Sequence, residues 1–130
     1  MTKEWRTWNL HGLRVTQLRF DYQLWIILWS LEGCLEICFM TPFTYLPGKD
    51  EGFELDPERK EEMAPILHLL HSEAESFSAS SMGDCILKMA DGSKIKSQAH
   101  QDYEAWQSIG SGSLNSASLL CPIGDGSPWG

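Results

Sequence analysis

The sequence has few basic residues. Its 130 residues include 10 lysines and arginines against 18 aspartates and glutamates, which gives a formal net charge of −8 at pH 7. The acidic excess is shared by both halves of the chain, so there is no acidic tail. Because an acidic surface repels phosphate backbones, we do not expect direct binding of nucleic acid. The charge favours a basic protein partner instead, since complementary charges accelerate association.

The sequence also lacks a membrane-spanning or secretory segment. No apolar run reaches the roughly 18 residues needed to cross a bilayer, and the start, MTKEWRTWNLHGL, lacks the apolar core of a signal peptide. Each of the four cysteines lies in an apolar, strand-like run: Cys34, Cys38, Cys85 and Cys121. We therefore predict a cytoplasmic protein, without a membrane partner, whose cysteines are reduced core residues.

No metal-ligand set is evident. Cys34 and Cys38 would share one face of a strand but lie ~13 Å apart, too far to ligate one ion. His68 and His71 are three residues apart in a predicted helix, and no third ligand lies near them in the sequence. We therefore predict neither a metal nor a cofactor.

The sequence contains no complete catalytic motif. Gly110–Leu114 lacks the full nucleophile-elbow pattern. His100, Asp102, Tyr103 and Glu104 form a polar cluster capable of proton transfer, although such short spacing is also typical of a turn before a strand. Asp21 would act as a base if it were buried, and would be an ordinary solvated carboxylate beside Arg19 if it were not. We assign no catalytic residue and favour a protein that is not an enzyme.

The stretch from Val15 to Phe39 dominates the predicted fold. Apolar residues at alternate positions from Leu18 to Leu28 predict one long strand, and Cys34–Phe39 predicts its partner across a turn at Ser30–Gly33. Asp91-Gly92 between two apolar runs predicts a second hairpin.

One segment is predicted to be helical. Asp56-Pro57 is typical of a helix start, and the segment continues to His71 with Pro65 dividing or kinking it. Its predicted apolar face consists of Ile66, Leu67, Leu69 and Leu70. We therefore predict an α+β fold in a single domain, 1–130: a mainly antiparallel sheet or rolled half-barrel with one helical segment packed on it.

Several short stretches in combination resemble a known family. They are Leu10–Thr16, Arg19–Gln23, Leu87–Lys94, the Tyr103-Glu104-Ala105-Trp106 motif, Cys121-Pro122 and Trp129. Through these stretches taken together, the chain resembles a family of small, mainly actinobacterial proteins described only as a domain of unknown function. The resemblance spans nearly the whole chain and implies no catalytic residues. In size and charge the chain is also similar to cytoplasmic immunity proteins that neutralise toxins.

Two hypotheses about function follow. The first is a non-enzymatic binding protein that masks a basic protein partner, such as an immunity protein against a bacterial toxin, with contacts from Asp102, Tyr103, Glu104 and Trp106. The alternative is a small-molecule-binding protein or a small cofactor-independent enzyme with an aromatic-lined pocket. The pocket residues would be Asp21, Trp25, Trp29 and His100, with Trp106 as a further aromatic wall. An exposed strand edge would also permit a homodimer.

Overall fold

The computed structural model describes residues 2–48, 51–124 and 126–129. Within these residues the chain forms eleven strands and two 3-10 segments, Lys60–Leu69 and Asn115–Ala117. The strands are β1 Trp5–Asn9, β2 Arg14–Phe20, β3 Leu24–Trp29, β4 Gly33–Phe39, β5 Phe43–Leu46, β6 Phe53–Leu55, β7 Ala74–Ser80, β8 Cys85–Met89, β9 Lys94–Ser97, β10 Trp106–Gly112 and β11 Leu119–Leu120. They build a six-stranded sheet, β1-β7-β8-β9-β5-β6, and a five-stranded sheet, β11-β10-β4-β3-β2. Every pairing between these strands is antiparallel.

The predicted α+β class is wrong, because the described residues form two β-sheets and no α-helix. The segment predicted as a helix is the 3-10 turn Lys60–Leu69. Pro65 inside it has no backbone N–H to donate, and no side chain caps its first turn at Arg59. Its buried residues are Met63, Ile66 and Leu69, a spacing of three that matches the three residues per turn of a 3-10 helix.

The long strand predicted from Val15 to Trp29 is also divided. The chain reverses at Asp21–Gln23, where the Gln23 backbone N–H donates a hydrogen bond of 2.8 Å to Asp21 Oδ1. The two halves become neighbouring strands, β2 and β3, with Arg19 opposite Trp25. The predicted hairpin between β3 and β4 is confirmed, and so is the Asp91-Gly92 hairpin between β8 and β9.

One hydrophobic core draws residues from both sheets. Alternate residues of β3 and β4 are fully buried, which leaves the intervening residues on the outer face of the five-stranded sheet. Trp106 lies at the centre of this core with its ring 5.9 Å from that of Phe77 in an edge-on arrangement. All four cysteines are free thiols, and Cys38, Cys85 and Cys121 are buried.

In the described ranges of the chain, none of the helical segments has the length and hydropathy needed to cross a bilayer.

Candidate functional site

A cleft of about 540 Å³ opens at one end of the two sheets. It lies between the loop 98–105, which precedes β10, and the segment that follows β6. Its lining residues are Gln23, Met40, Thr41, Pro42, Asp56, Glu58, His100, Asp102, Tyr103, Glu104 and Ile123. Hereafter this is called the acidic cleft, because four of its lining side chains are carboxylates.

Two backbone hydrogen bonds hold the loop 98–105, one at its last residue and one at His100. The Met40 N–H donates to the Ala105 carbonyl oxygen at 2.9 Å, and the Gly124 N–H donates to the His100 carbonyl oxygen at 2.8 Å. Within the loop, the Asp102 N–H donates to His100 Nδ1 at 3.0 Å. The His100 ring lies 5.1 Å from the Tyr103 ring, centroid to centroid. The loop therefore presents its polar side chains from a fixed backbone.

Three of the four residues predicted to contact a partner lie on this loop at the cleft. Asp102, Tyr103 and Glu104 are exposed, and Tyr103 retains 63% of its accessible surface. Trp106 is fully buried, and its indole N–H donates to the Gly83 carbonyl oxygen at 2.9 Å. Trp106 is thus a core anchor beneath the loop and does not reach the surface, which corrects its predicted role as a contact residue.

The opposite wall contains two carboxylates that the sequence did not connect with the loop. Asp56 Oδ1 accepts a hydrogen bond from the Glu58 N–H at 3.0 Å, and the Asp56 N–H donates to Glu62 Oε1 at 3.1 Å. These contacts fix the turn before the 3-10 segment. Asp56 and Glu58 were interpreted only as a helix start, because no local pattern links them with a loop more than 40 residues away.

Three of the four carboxylates that line the cleft have no ion-pair partner among the described residues. Among the described residues, no lysine or arginine lines the cleft, and Arg59 Nε lies 4.0 Å from Asp56 Oδ2. Across residues 2–48, 51–124 and 126–129, the ion pairs leave Glu58, Asp102 and Glu104 without a basic partner. In the same ranges, no three histidine, cysteine or acidic side chains are placed to hold a metal ion. No three of the cleft carboxylates therefore converge on one point.

The residues of the alternative pocket are not brought together. Asp21 lies exposed in the β2–β3 turn, and Trp25 packs on the outer face of its sheet with the Arg19 guanidinium 4.9 Å from its ring. Trp29 is 50% exposed and lines a separate cleft with Arg14. His100 belongs to the acidic cleft.

The thiols are not activated nucleophiles. Burial raises the pKa of Cys38 to about 12, with the Asp21 carboxylate adding to the effect. Burial likewise raises the pKa values of Cys34, Cys85 and Cys121. Because the thiolate is the reactive form, a raised pKa makes a cysteine less reactive at neutral pH.

Comparisons with known proteins identify the family. A search of curated proteins and a search of solved structures found no match to the chain. The sequence profile of a family of unknown function, DUF6188, matches residues 6–124, which is nearly the whole chain and includes both walls of the acidic cleft. The chain therefore belongs to the family of unknown function DUF6188.

Proposed function

We propose that this protein is a non-enzymatic binding protein whose acidic cleft covers a basic segment of a protein partner. One observation supports the proposal above all others. Asp56 and Glu58 on one wall and Asp102 and Glu104 on the other line one cleft, and no described lysine or arginine lines it. An immunity protein that masks a basic toxin is the concrete form of this proposal, in keeping with the small size and the net charge of −8.

The chemistry of the cleft suits a protein partner. Its carboxylates accelerate association with a basic surface, and this contribution falls as salt screens the charges. Tyr103 and Ile123 lie beside the carboxylates and are 63% and 56% exposed. Exposed aromatic and aliphatic side chains supply contact area that salt does not weaken. The proposal includes a cytoplasmic location, which is supported by the four free cysteines.

The proposal is tested by neutralising the cleft and measuring what the protein captures. The cleft variant carries Asp56→Asn, Glu58→Gln, Asp102→Asn and Glu104→Gln, which keep the shapes of the side chains. The matched control carries Glu4→Gln, Glu32→Gln, Glu61→Gln and Glu73→Gln, four exposed glutamates that do not line the cleft. Each set removes four negative charges, so only their location differs.

The tagged proteins are incubated with lysate of the source cells, and bound proteins are quantified by mass spectrometry at low and high salt. We expect the wild-type protein and the control to retain the same basic protein in stoichiometric amount, and high salt to release it. The cleft variant should retain about tenfold less, because several charge pairs are lost together. Equal capture by the cleft variant and the control would show that the cleft is not the binding site.

A further inference from the structure

We infer that β1 is an interaction surface for a second copy of this chain, whose own β1 adds to it antiparallel about a two-fold axis through Thr7. The inference is independent of the proposed function, because β1 contributes none of the described residues that line the acidic cleft. It depends on the outward backbone groups of β1, on the regularity of this edge and on the side chains that the pairing brings together.

Alternate residues of β1 direct their backbone groups away from the sheet. The Glu4 carbonyl oxygen and the Leu10 N–H, one residue beyond each end of β1, hydrogen-bond across to the chain of β7 at 2.8 and 2.9 Å. Because hydrogen bonding alternates along an antiparallel pair, the even-numbered residues of β1 bond to β7 and the odd-numbered residues face away from it. The outward residues are Trp5, Thr7 and Asn9, and no hydrogen bond among the described residues uses their N–H or carbonyl groups.

The other three sheet edges are each shortened or covered. The outermost strands are β1 and β6 in one sheet and β2 and β11 in the other. β6 has three residues and β11 has two. β2 has a register shift between Val15 and Gln17, and Val15 already hydrogen-bonds to Ser72 and His71 at 2.9 and 2.7 Å. Such devices prevent an edge from pairing with another chain, and β1 has neither a register shift nor a covering segment among the described residues.

An axis through Thr7 makes the edge self-complementary. It places Trp5 opposite Asn9 of the second copy and Thr7 opposite Thr7, so all three outward residues pair. Each facing pair exchanges two backbone hydrogen bonds, which gives about six in total. Arg6 then lies opposite Trp8, a cation beside an aromatic ring, and no like charges face each other. Trp5 is 44% exposed and adds apolar contact area on the outer face.

The neighbouring registers are less favourable. An axis through Arg6 or through Trp8 leaves only two facing pairs, and therefore about four backbone hydrogen bonds. The first also sets Arg6 directly against Arg6 of the second copy, which is repulsive. The second sets the two Trp8 rings against each other, although each is held by Phe77 at 6.0 Å between ring centroids and by Ser116 Oγ at 3.0 Å from Nε1. The backbone and the side chains therefore select the same register.

The oligomeric state is measured by sedimentation equilibrium of the full chain between about 5 μM and about 1 mM, because a short edge contact belongs to the smaller, weaker class of interface. The wild-type mass should rise from 14.7 kDa towards twice that value as the concentration increases. Thr7→Pro removes the outward N–H at the axis, and proline is tolerated on an edge strand where its nitrogen faces solvent. Thr7→Ala is the matched control, since it keeps the N–H and loses the same hydrogen bond of 2.9 Å between Thr7 Oγ1 and Ser78 Oγ. We expect Thr7→Pro to dimerise at least about tenfold more weakly than Thr7→Ala.

A second pair of variants tests the position of the axis. Thr7→Lys and Thr7→Glu each place like charges opposite each other across an axis through Thr7, so each alone should dimerise at least about tenfold more weakly than the wild-type protein. An equimolar mixture places opposite charges there and should recover dimers that contain one copy of each variant. Circular dichroism and thermal unfolding of every variant establish that it remains folded.

Three results would overturn the inference. They are a wild-type protein that stays at 14.7 kDa up to about 1 mM, a Thr7→Pro dimer as tight as that of Thr7→Ala, and a mixture of the charged variants that stays monomeric. The first result would leave an extended segment of a different protein as the occupant of β1. The capture experiment with the neutralised cleft is unaffected by any of them, because the cleft and β1 share no described residue.

Discussion

At the scale of single residues, Gly83 connects the core with the acidic cleft. It adopts φ +91° in the turn between β7 and β8, a backbone conformation that residues other than glycine rarely adopt. A Cβ at this position would lie 2.7 Å from the Cβ of Ala99, in the loop that forms one wall of the cleft. The Gly83 carbonyl also accepts hydrogen bonds from Trp106 Nε1 at 2.9 Å and from Cys121 Sγ at 3.4 Å. The position of the loop therefore depends on the absence of a side chain here.

We predict that Gly83→Ala lowers the free energy of unfolding by about 2–4 kcal/mol, through backbone strain and overpacking against Ala99. Gly92→Ala is the control, because Gly92 has φ +95° and nothing lies within 4 Å of its added Cβ. It should cost only the strain of about 1–2 kcal/mol. Urea denaturation measures both values. The second substitution Ala99→Gly should recover part of the Gly83→Ala loss; equal costs at the two glycines would show that the loop does not pack closely on Gly83.

At the scale of elements, the 3-10 segment Lys60–Leu69 determines which leucines are buried. Leu69 is fully buried and Leu70 is 40% exposed. In an α-helix, Leu70 would share a face with Met63 and Ile66, because residues four and seven apart lie on one side. In a 3-10 helix every third residue lies on the same face, so Leu69 shares the buried face with Met63 and Ile66. The same chemical change at two neighbouring leucines therefore distinguishes the two geometries.

We predict that Leu69→Ala lowers the free energy of unfolding by about 2–5 kcal/mol, because it leaves a cavity in the core. Leu70→Ala should cost less than about 1 kcal/mol, since much of that side chain is already in water. The two free energies are compared by urea denaturation, with circular dichroism of each native state. A larger loss at Leu70 than at Leu69 would contradict the 3-10 geometry.

The sequence predicted those elements that local residue patterns determine. Asp91-Gly92 supports a hairpin by its own turn chemistry, and the alternation in β3 and β4 follows from one buried face. The glycine and serine content of Gly110–Gly112 favours a loop by local preference, yet this stretch pairs with β4 as part of β10. There, glycine is required by close packing, because a side chain on Gly110 would collide with the Leu114 carbonyl. Tertiary contacts overrode the local preference.

The candidate site was predicted only in part for the same physical reason. Asp102, Tyr103 and Glu104 were found because they are adjacent in the sequence. Asp56 and Glu58 join them only through the folding of β5 and β6 beside β9. Such a contact between distant segments leaves no trace in the local pattern of one sequence.

At the scale of the whole molecule, thiol burial makes stability depend on alkaline pH. An unfolded cysteine titrates near pH 8.5, whereas burial raises the pKa of Cys38 to about 12 in the folded protein. Above pH 8.5 the unfolded state therefore binds fewer protons than the folded state. The stability that the raised pKa contributes is complete below pH 8.5 and is lost as the pH rises towards 12. One such thiol gives a slope of about 1.4 kcal/mol per pH unit within that window.

We predict that Cys38→Ser flattens this dependence, because serine does not titrate there and still donates a hydrogen bond to Gln23, whose Oε1 lies 3.1 Å from Cys38 Sγ. Urea denaturation at intervals from pH 7 to pH 11 should show the wild-type protein losing about 1.4 kcal/mol more per pH unit than the variant above about pH 9. Cys34→Ser is the control and should change the slope less, because Cys34 is only half-buried on the outer face. Parallel curves for the wild-type protein and Cys38→Ser would mean that Cys38 is as accessible to solvent when folded as when unfolded, which would contradict the packing of β4 against β3 and β10.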